Sequence, residues 1–205
     1  MLSANVEPVG RGLVVRTIAI AVAAGAALAL GFVLVVLGVR ADLTATRATA
    51  FLLLKVAFAL AVIGMAMRYL TKLARPGAER GMSPLAIAMP FAAIALLGAI
   101  SLGIAPSSHW NRMVLGDEWL ECLLSIPIIA IVPFAVTIFA VRRAAPTDLV
   151  RTGTVAGLAA GGISAMAYAL HCTDDSFPFV AVWYGGTIVL CTLAGAALGP
   201  RLLRW

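Results

Sequence analysis

The sequence predicts an all-α integral membrane protein, a bundle of six transmembrane helices with both termini in the cytoplasm. Hydrophobic residues make up 62% of the 205-residue chain and charged residues only 12%, against about 45–50% and about 25% in soluble domains. The mean hydropathy is +1.05. The apolar residues form six blocks, each close to the roughly 20 residues that cross about 30 Å of hydrocarbon. Clusters of basic residues separate the blocks and predict their orientation.

Each block is predicted to form one helix, because backbone in hydrocarbon must satisfy its hydrogen bonds within its own segment. These blocks form one transmembrane domain, residues 17–205, which follows a short cytoplasmic segment, residues 1–16. The first block is longer than the 7–15 apolar residues of a signal peptide, so we expect it to remain as a helix. The predicted spans are residues 17–39, 49–70, 84–104, 120–141, 152–170 and 179–199.

Lysine and arginine are distributed unevenly between the two sides of this predicted bundle. Three of the 15 basic residues lie in loops on one side, at Arg40, Arg47 and Arg112, and Lys55 lies inside the second span. Cytoplasmic loops carry the excess of basic residues, so the other side, with both termini, is predicted to be cytoplasmic. It holds Arg11, Arg16, Arg68, Lys72, Arg75, Arg80, Arg142, Arg143, Arg151, Arg201 and Arg204.

Lys55 lies about two turns inside the second predicted span, where a charged side chain is costly unless it finds a partner. Long basic side chains near a helix end extend their charged group to the membrane interface. We therefore expect Lys55 to reach outward to the interface.

Glycines recur at a spacing of four residues in the last two predicted spans, at Gly157 and Gly161 and at Gly195 and Gly199. Small residues at this spacing let two helix backbones approach closely. We expect them to pack helices within the bundle rather than to join two copies of the chain.

Composition and motifs exclude several classes of function. The net charge of +6 does not predict nucleic-acid binding, because the basic residues form no continuous face, and membrane lipid is the expected environment. The sequence contains no Walker loop, GxSxG or HExxH motif, so the protein is not predicted to be an enzyme. The nearly uncharged spans weaken a transport function without excluding it.

Residues with metal or redox chemistry gather on the predicted outer side of the membrane. Cys122 lies at the start of the fourth span, and Cys172 lies in the last outer loop. Cys191 lies in mid-span and is expected to be structural, since a buried thiol packs as a small apolar group. Around the outer cysteines lie polar residues at His109, Asp117, Glu118, Glu121, His171, Asp174 and Asp175.

The two outer cysteines are expected to be neighbours, because loops at one end of a bundle lie close together. Cys122 and Cys172 could form a disulfide, act as a thiol sensor, or bind a soft metal ion with His171 or a nearby carboxylate completing the site. Alternatively, the acids and histidines form a solvated loop and the cysteines only pack. No CxxC motif is present. Trp183 and Tyr184 are expected to pack under the Cys172 loop and shield it.

Three segments resemble one known family. These are "WLECLLSIP" (119–127), "HCTDDSFPFVAVWYG" (171–185) and "FLLLKVAFAL" (51–60). They are similar to the NrsF-type negative regulators of sigma F, six-span anti-sigma factors of the proteobacterial inner membrane. The most specific element is the His-Cys pair at 171–172 followed by Trp-Tyr-Gly at 183–185.

The resemblance implies a multi-pass inner-membrane protein that binds an extracytoplasmic-function sigma factor on its cytoplasmic side. It implies release of that factor when heavy metals or thiol-reactive compounds act on Cys122 and Cys172. No resident cofactor is implied, only a transient soft metal ion at these cysteines. The residues expected to support the pair are His171, Asp174, Asp175, Glu118, Glu121 and Trp183.

One departure from the family concerns the N-terminus. The family has a longer acidic and apolar segment before the first span than residues 1–16, which indicates a truncated start and weaker sigma binding if the contact lies there. Two other functions are alternatives. A small transporter or metal-export protein would move metal across vesicles, and a membrane redox enzyme would turn over through the cysteine pair.

Overall fold

The computed structural model describes residues 11–74, 83–144 and 146–204, and every regular element in these ranges is helical. The first long helix is followed directly by a π-helical segment, Val33–Leu37, and the last long helix contains one, Val180–Tyr184. The all-α prediction is therefore confirmed. The helices are α1 Arg11–Phe32, α2 Thr46–Leu73, α3 Pro84–Ile104, α4 Ser107–Leu115, α5 Trp119–Arg142, α6 Leu149–Tyr168 and α7 Phe177–Leu202.

The six predicted spans each coincide with one of the long helices. Helix α3 has the predicted bounds, with Pro84 at its first position, where proline lacks only a donor that the helix does not use. Helix α1 begins at Arg11 rather than at residue 17. The predicted cytoplasmic segment is therefore helical over its last residues, and residues 1–10 lie outside the described part of the chain.

Five stretches in the described ranges are long and apolar enough to cross a membrane, as expected of an integral membrane protein. They are Gly12–Leu37, Thr46–Leu73, Leu85–Ile104, Ser107–Arg142 and Phe177–Leu202. The remaining long helix, α6, is less apolar because its 20 residues include four glycines and Arg151.

Helix α6 lies in the centre of the bundle, where 15 of its residues are buried. It packs against α7, α2, α5 and α1. A Cβ atom on Gly157 would lie 2.3 Å from the Cys191 carbonyl oxygen, and one on Gly195 would lie 2.3 Å from that of Gly153. The two backbones are therefore in direct contact, and the prediction that these glycines pack helices within the chain is confirmed.

Three loops meet at one end of the bundle. The Arg40 amide donates to the Leu170 carbonyl (3.0 Å), and the Ser176 hydroxyl donates to the Met113 carbonyl (2.6 Å). These hydrogen bonds join loops that are far apart in sequence. We call this end of the bundle the cysteine end, and its loops are residues 38–45, 105–118 and 169–176.

The opposite end of the bundle carries the connections between α2 and α3 and between α5 and α6. The Tyr69 hydroxyl donates to the Ser83 carbonyl and closes the first of these connections. The Arg142 guanidinium donates to the Arg204 carbonyl (3.2 Å), which joins the end of α5 to the end of the chain. Helix α2 thus runs from the cysteine end to the α2–α3 connection.

Candidate functional site

Cys172 lies in the loop of residues 169–176, which we call the Cys172 loop. The loop follows α6 directly, and the Cys172 amide still donates to the Tyr168 carbonyl (3.1 Å). This bond turns the cysteine back toward the bundle, and Cys172 is completely buried. The loop therefore places its thiol in the protein interior rather than in solvent.

Cys122 lies in the first turn of α5 and is also completely buried. Both cysteines belong to the central apolar cluster. Both are free thiols in the structure, as is Cys191. The two outer cysteines thus share one buried region at the cysteine end.

Lys55 does not reach the interface, so the expectation that it extends outward is wrong. Its side chain is completely buried and points into the Cys172 loop. The ammonium group donates to the Cys172 carbonyl (3.2 Å) and lies 3.5 Å from the Cys172 sulfur. It also lies 3.3 Å from an Asp175 oxygen and 5.5 Å from the centre of the Tyr184 ring. The charge is satisfied inside the bundle because a carboxylate and a carbonyl are available there.

Arg40 forms the second half of this ionic network. Its guanidinium binds Asp175 in a bidentate manner, at 2.9 and 2.7 Å, and binds Asp42 at 2.6 and 2.8 Å. It also donates to the Cys172 carbonyl (2.9 Å). Two cations therefore face two carboxylates, and a planar guanidinium suits this paired geometry better than an ammonium would.

The ionic contacts change the pKa values of groups outside the spans in opposite directions. Hydrogen bonds from Arg40 lower the pKa of Asp42, and hydrogen bonds to Asp42 and Asp175 raise the pKa of Arg40. Burial raises the pKa of Cys172 above its usual value, while the Lys55 ammonium opposes this rise. Burial thus favours the neutral thiol of Cys172, and Lys55 is one nearby group that favours its thiolate.

Asp174 and Glu118 fix the Cys172 loop to the start of α5. The Asp174 carboxylate accepts hydrogen bonds from the amides of Asp117 (3.1 Å) and Glu118 (2.8 Å). The Glu118 carboxylate accepts from the hydroxyl (2.7 Å) and amide (3.0 Å) of Thr173. The approach requires Gly116, because a Cβ atom there would lie 2.5 Å from an Asp174 oxygen.

The other predicted supporting residues occupy different positions around the cysteines. A ring nitrogen of His171, Nδ1, lies 3.2 Å from the Gly38 carbonyl oxygen. Trp183 donates to the Val114 carbonyl (2.8 Å) and its ring packs on Trp119 at 5.2 Å. Glu121 is exposed in the first turn of α5. Trp183 thus joins α7 to the end of α4.

A preformed metal centre is not found in the described ranges: no three His, Cys, Asp or Glu side chains there are grouped to hold a metal ion. The thiols of Cys122 and Cys172 are the soft donors at this end, and the Nδ1 atom of His171 faces a backbone carbonyl. Metal binding by these three residues stays a prediction.

The NrsF family model, described as "Negative regulator of sigma F", matches residues 2–205. The match extends over both cysteines, the ionic network and all the described helices. The chain belongs to the NrsF family. Membership confirms the resemblance inferred from the sequence.

Two relatives carry the same family name. The chain is 30% identical to the probable anti-sigma-F factor NrsF of Azospira oryzae, over 100% of this chain and 96% of that one. It is 32% identical to the anti-sigma-F factor NrsF of Caulobacter vibrioides, over 65% of this chain and 63% of that one. No solved structure matches the chain.

Sequence reasoning missed that Arg40 and Lys55 belong to this candidate site. Tyr184, which was expected beside the Cys172 loop, is completely buried, its ring centre lies 5.5 Å from the Lys55 ammonium, and it ends the π-helical segment of α7. The segment adds a residue to one helical turn, and such bulges frequently occur at functional sites. Two signals were present in the sequence: a lysine inside a span, and an arginine on the sparsely basic side.

Proposed function

We propose that the protein is a six-span, N-in/C-in protein of the bacterial inner membrane that sequesters an extracytoplasmic-function sigma factor. On this proposal, the factor is bound at the cytoplasmic side and released when a heavy metal or a thiol-reactive compound acts on the pair formed by Cys122 and Cys172, so that both cysteines are needed for the response. Family membership and the anti-sigma-F names of two relatives support the anti-sigma function.

The arrangement of the helices supports the proposed topology. The loops at the cysteine end are joined to each other by hydrogen bonds, and most basic residues of the sequence lie toward the opposite end or the termini. By the positive-inside rule, the basic end faces the cytoplasm and the cysteine end faces the periplasm. The proposal counts α6 as the sixth span because its neighbours on several sides cross the membrane.

The observation that carries the sensing proposal is the buried contact between Cys172 and two cations. Lys55 and Arg40 both donate to the Cys172 carbonyl, and Lys55 also lies against the sulfur. A change at that sulfur therefore disturbs an ionic network that holds two loops and α2 together. Coupling between two distant sites needs only about 1–3 kcal/mol, and breaking a buried ion pair costs about 3–5 kcal/mol.

Reagents can approach this region through a polar cavity of about 590 Å³ beside the Cys172 loop. Its lining includes Arg47, His109, Arg112, Asp174 and Ser176. Soft metal ions prefer thiolate ligands, so a metal that enters here is proposed to bind Cys122 and Cys172, with His171 as a third ligand after its ring leaves Gly38.

Co-purification from membranes tests this function. A tagged chain is isolated from its native host with and without brief cadmium or chromate exposure, and bound proteins are identified by mass spectrometry. We expect a sigma factor in the untreated sample and at least a tenfold loss of it after treatment. The Cys122→Ser and Cys172→Ser variants are expected to insert normally and to keep the factor after treatment.

Two outcomes would contradict the proposal. The absence of any sigma factor from the untreated sample would refute sequestration, and an unchanged response in both cysteine variants would refute sensing by this pair. Cadmium flux into vesicles that depends on Cys172, with no sigma factor bound, would favour the metal-export alternative.

A further inference from the structure

We propose that Lys55 is the positioning residue that couples the Cys172 sulfur to helix α2. A group added to this sulfur displaces the Lys55 ammonium, and the displacement shifts α2. This inference rests on the proposed function and assigns its transmitting element. A modification of Cys172 thereby changes the structure along the bundle, whichever compound makes it.

The contacts of Lys55 make it responsive to the sulfur. Its ammonium has three polar contacts within 3.5 Å, to the Cys172 carbonyl, the Cys172 sulfur and Asp175. All three lie on the Cys172 loop, and the side chain is completely buried. A substituent on the sulfur enters the space next to the ammonium, where no solvent is available to replace lost contacts. Stranding a buried charge in this way is strongly destabilising.

A group added to the Cys172 sulfur does not displace Arg40, because the hydrogen bonds of Arg40 go to carboxylates and carbonyls rather than to that sulfur. It binds Asp175, Asp42 and the carbonyls of the Cys172 loop. These contacts remain when the sulfur is modified, so Arg40 holds the loop while Lys55 leaves. The network therefore has one fixed cation and one displaceable cation, and only the displaceable one belongs to a long helix.

Helix α2 connects Lys55 to the opposite end of the bundle. From Lys55 to the end of the helix at Leu73 is about 27 Å, at about 1.5 Å per residue. Along this length α2 packs against the central helix α6, and near its end the Tyr69 hydroxyl donates to the Ser83 carbonyl. A shift at Lys55 is therefore transmitted to the end of α2, where the basic residues Arg68 and Lys72 lie.

Methyl methanethiosulfonate is a suitable probe because its reaction is small and balanced. The Cys172 thiol loses its proton to solvent, and its sulfur attacks the methylthio sulfur of the reagent. A new S–S bond forms, the S–SO₂ bond breaks, and methanesulfinate leaves with the electron pair. The product carries one methylthio group on the sulfur, and no further oxidant is needed.

The test compares sigma-factor release at equal extents of Cys172 modification in native membranes. The variants are Lys55→Met, which removes the charge at similar length, and Lys55→Arg, which retains it. Arg112→Met is the matched control, since it removes an exposed cation from the same end of the bundle outside this network. Mass spectrometry measures the modified fraction, and co-purification measures the bound sigma factor.

In the wild type, Arg112→Met and Lys55→Arg, we expect full modification to reduce the bound factor at least tenfold. In Lys55→Met we expect the reduction to be below twofold at the same extent of modification. A tenfold reduction in Lys55→Met would overturn the inference. If Lys55→Met binds no sigma factor before treatment, the Lys55→Met/Asp175→Asn double variant replaces it, because this variant removes both charges of the Lys55–Asp175 ion pair. The bound sigma factor before and after modification is then compared in the double variant against the same limits.

Hydrogen exchange separates this inference from the proposed function. In the wild type, modification of Cys172 is expected to raise amide exchange in the first turns of α2 at least fivefold, whether or not a sigma factor is present. Lys55→Met should show less than a twofold change, and an equal rise in both would overturn the coupling. A wild type that keeps its sigma factor after full modification, yet shows this exchange difference, would refute the proposed function alone.

Discussion

At the scale of single residues, the site is defined by two buried cations, Lys55 and Arg40, that donate to the Cys172 carbonyl. Both pair with Asp175, and Arg40 also pairs with the exposed Asp42. A buried ion pair is weak evidence for stability, because desolvation offsets much of its attraction. A buried ion pair beside a thiol is therefore better explained by a role in positioning the Cys172 loop than by a role in stability.

The reactivity of Cys172 is predicted to increase steeply with pH. Burial raises the pKa of this thiol, and only the thiolate attacks alkylating reagents. The rate of modification by iodoacetamide should rise by about tenfold per pH unit from pH 7 to 9, because each unit increases the thiolate fraction by that factor. Peptide mass spectrometry checks this, with Cys172→Ser as the blank, and a plateau below pH 9 would contradict it.

Gly116 is predicted to be essential for holding Asp174, and Gly38 provides its control. Both glycines have positive φ, +62° and +80°, a region that strains any other residue by about 1–3 kcal/mol. Only at Gly116 would a Cβ atom also meet Asp174, whereas Gly38 faces open space. Gly116→Ala should therefore destabilise the protein by about 1–3 kcal/mol more than Gly38→Ala.

Thermal unfolding in detergent measures the difference between these two variants. Gly116→Ala should also speed the modification of Cys172, because the loop loses its hydrogen bonds to the Asp117 and Glu118 amides. Equal unfolding temperatures for the two variants would show that the contact between residue 116 and Asp174 does not affect the stability of the protein.

At the scale of elements, glycines bring the backbones of α6 and α7 into direct contact. The Gly157→Ala variant is predicted to destabilise the protein, because the added methyl would lie 2.3 Å from the Cys191 carbonyl oxygen. Overpacking of this kind costs about 1–3 kcal/mol. Gly64→Ala on α2 is the matched control, since nothing lies within 4 Å of its added atom.

Denaturant titration of the purified protein compares the two glycine variants on one scale. Gly64→Ala should be neutral or slightly stabilising, since alanine favours helix more than glycine does. Equal stability of Gly157→Ala and the wild type would mean that the α6–α7 backbones do not touch as closely as the structure places them.

Helix positions could be predicted from the sequence, whereas the partners of the buried charges could not. A long apolar block forms a helix in the membrane, because backbone groups in hydrocarbon have to hydrogen-bond within their own segment. The choice of partner for Lys55 depends on a loop that lies 120 residues away, and no local pattern contains that information. For the same reason the sequence indicated that Cys122 and Cys172 share one side, but not that Arg40 and Lys55 both donate to the Cys172 carbonyl.

At the scale of the whole molecule, the proposed sensing of external compounds requires the cysteine end to face the periplasm. Single cysteines placed in a variant without the native ones test this orientation. Asn111→Cys should react with a membrane-impermeant maleimide in intact spheroplasts. Arg204→Cys should react only after the membrane is permeabilised. Both sites are exposed, so access alone decides the result, and the reverse pattern would invert the proposed topology.

The whole protein is expected to behave as a single coupled unit rather than as a sensor loop attached to an inert anchor. The hydrogen bonds of the cysteine end join loops 38–45 and 169–176 to each other, to the start of α5 and to helix α2. Helix α6 then packs against α7, α2 and α5 along the bundle. A structural change at Cys172 therefore has little room to relax within its own loop, and we expect it to shift the helices that this loop contacts.

The most direct test titrates membranes that contain the wild-type chain and its sigma factor with methyl methanethiosulfonate. At each concentration, the fraction of Cys172 modified and the fraction of sigma factor still bound are measured in the same sample. We expect the loss of sigma factor to follow the modification of Cys172 and to disappear in Cys172→Ser. Release without modification, or full modification with the factor still bound, would contradict the account.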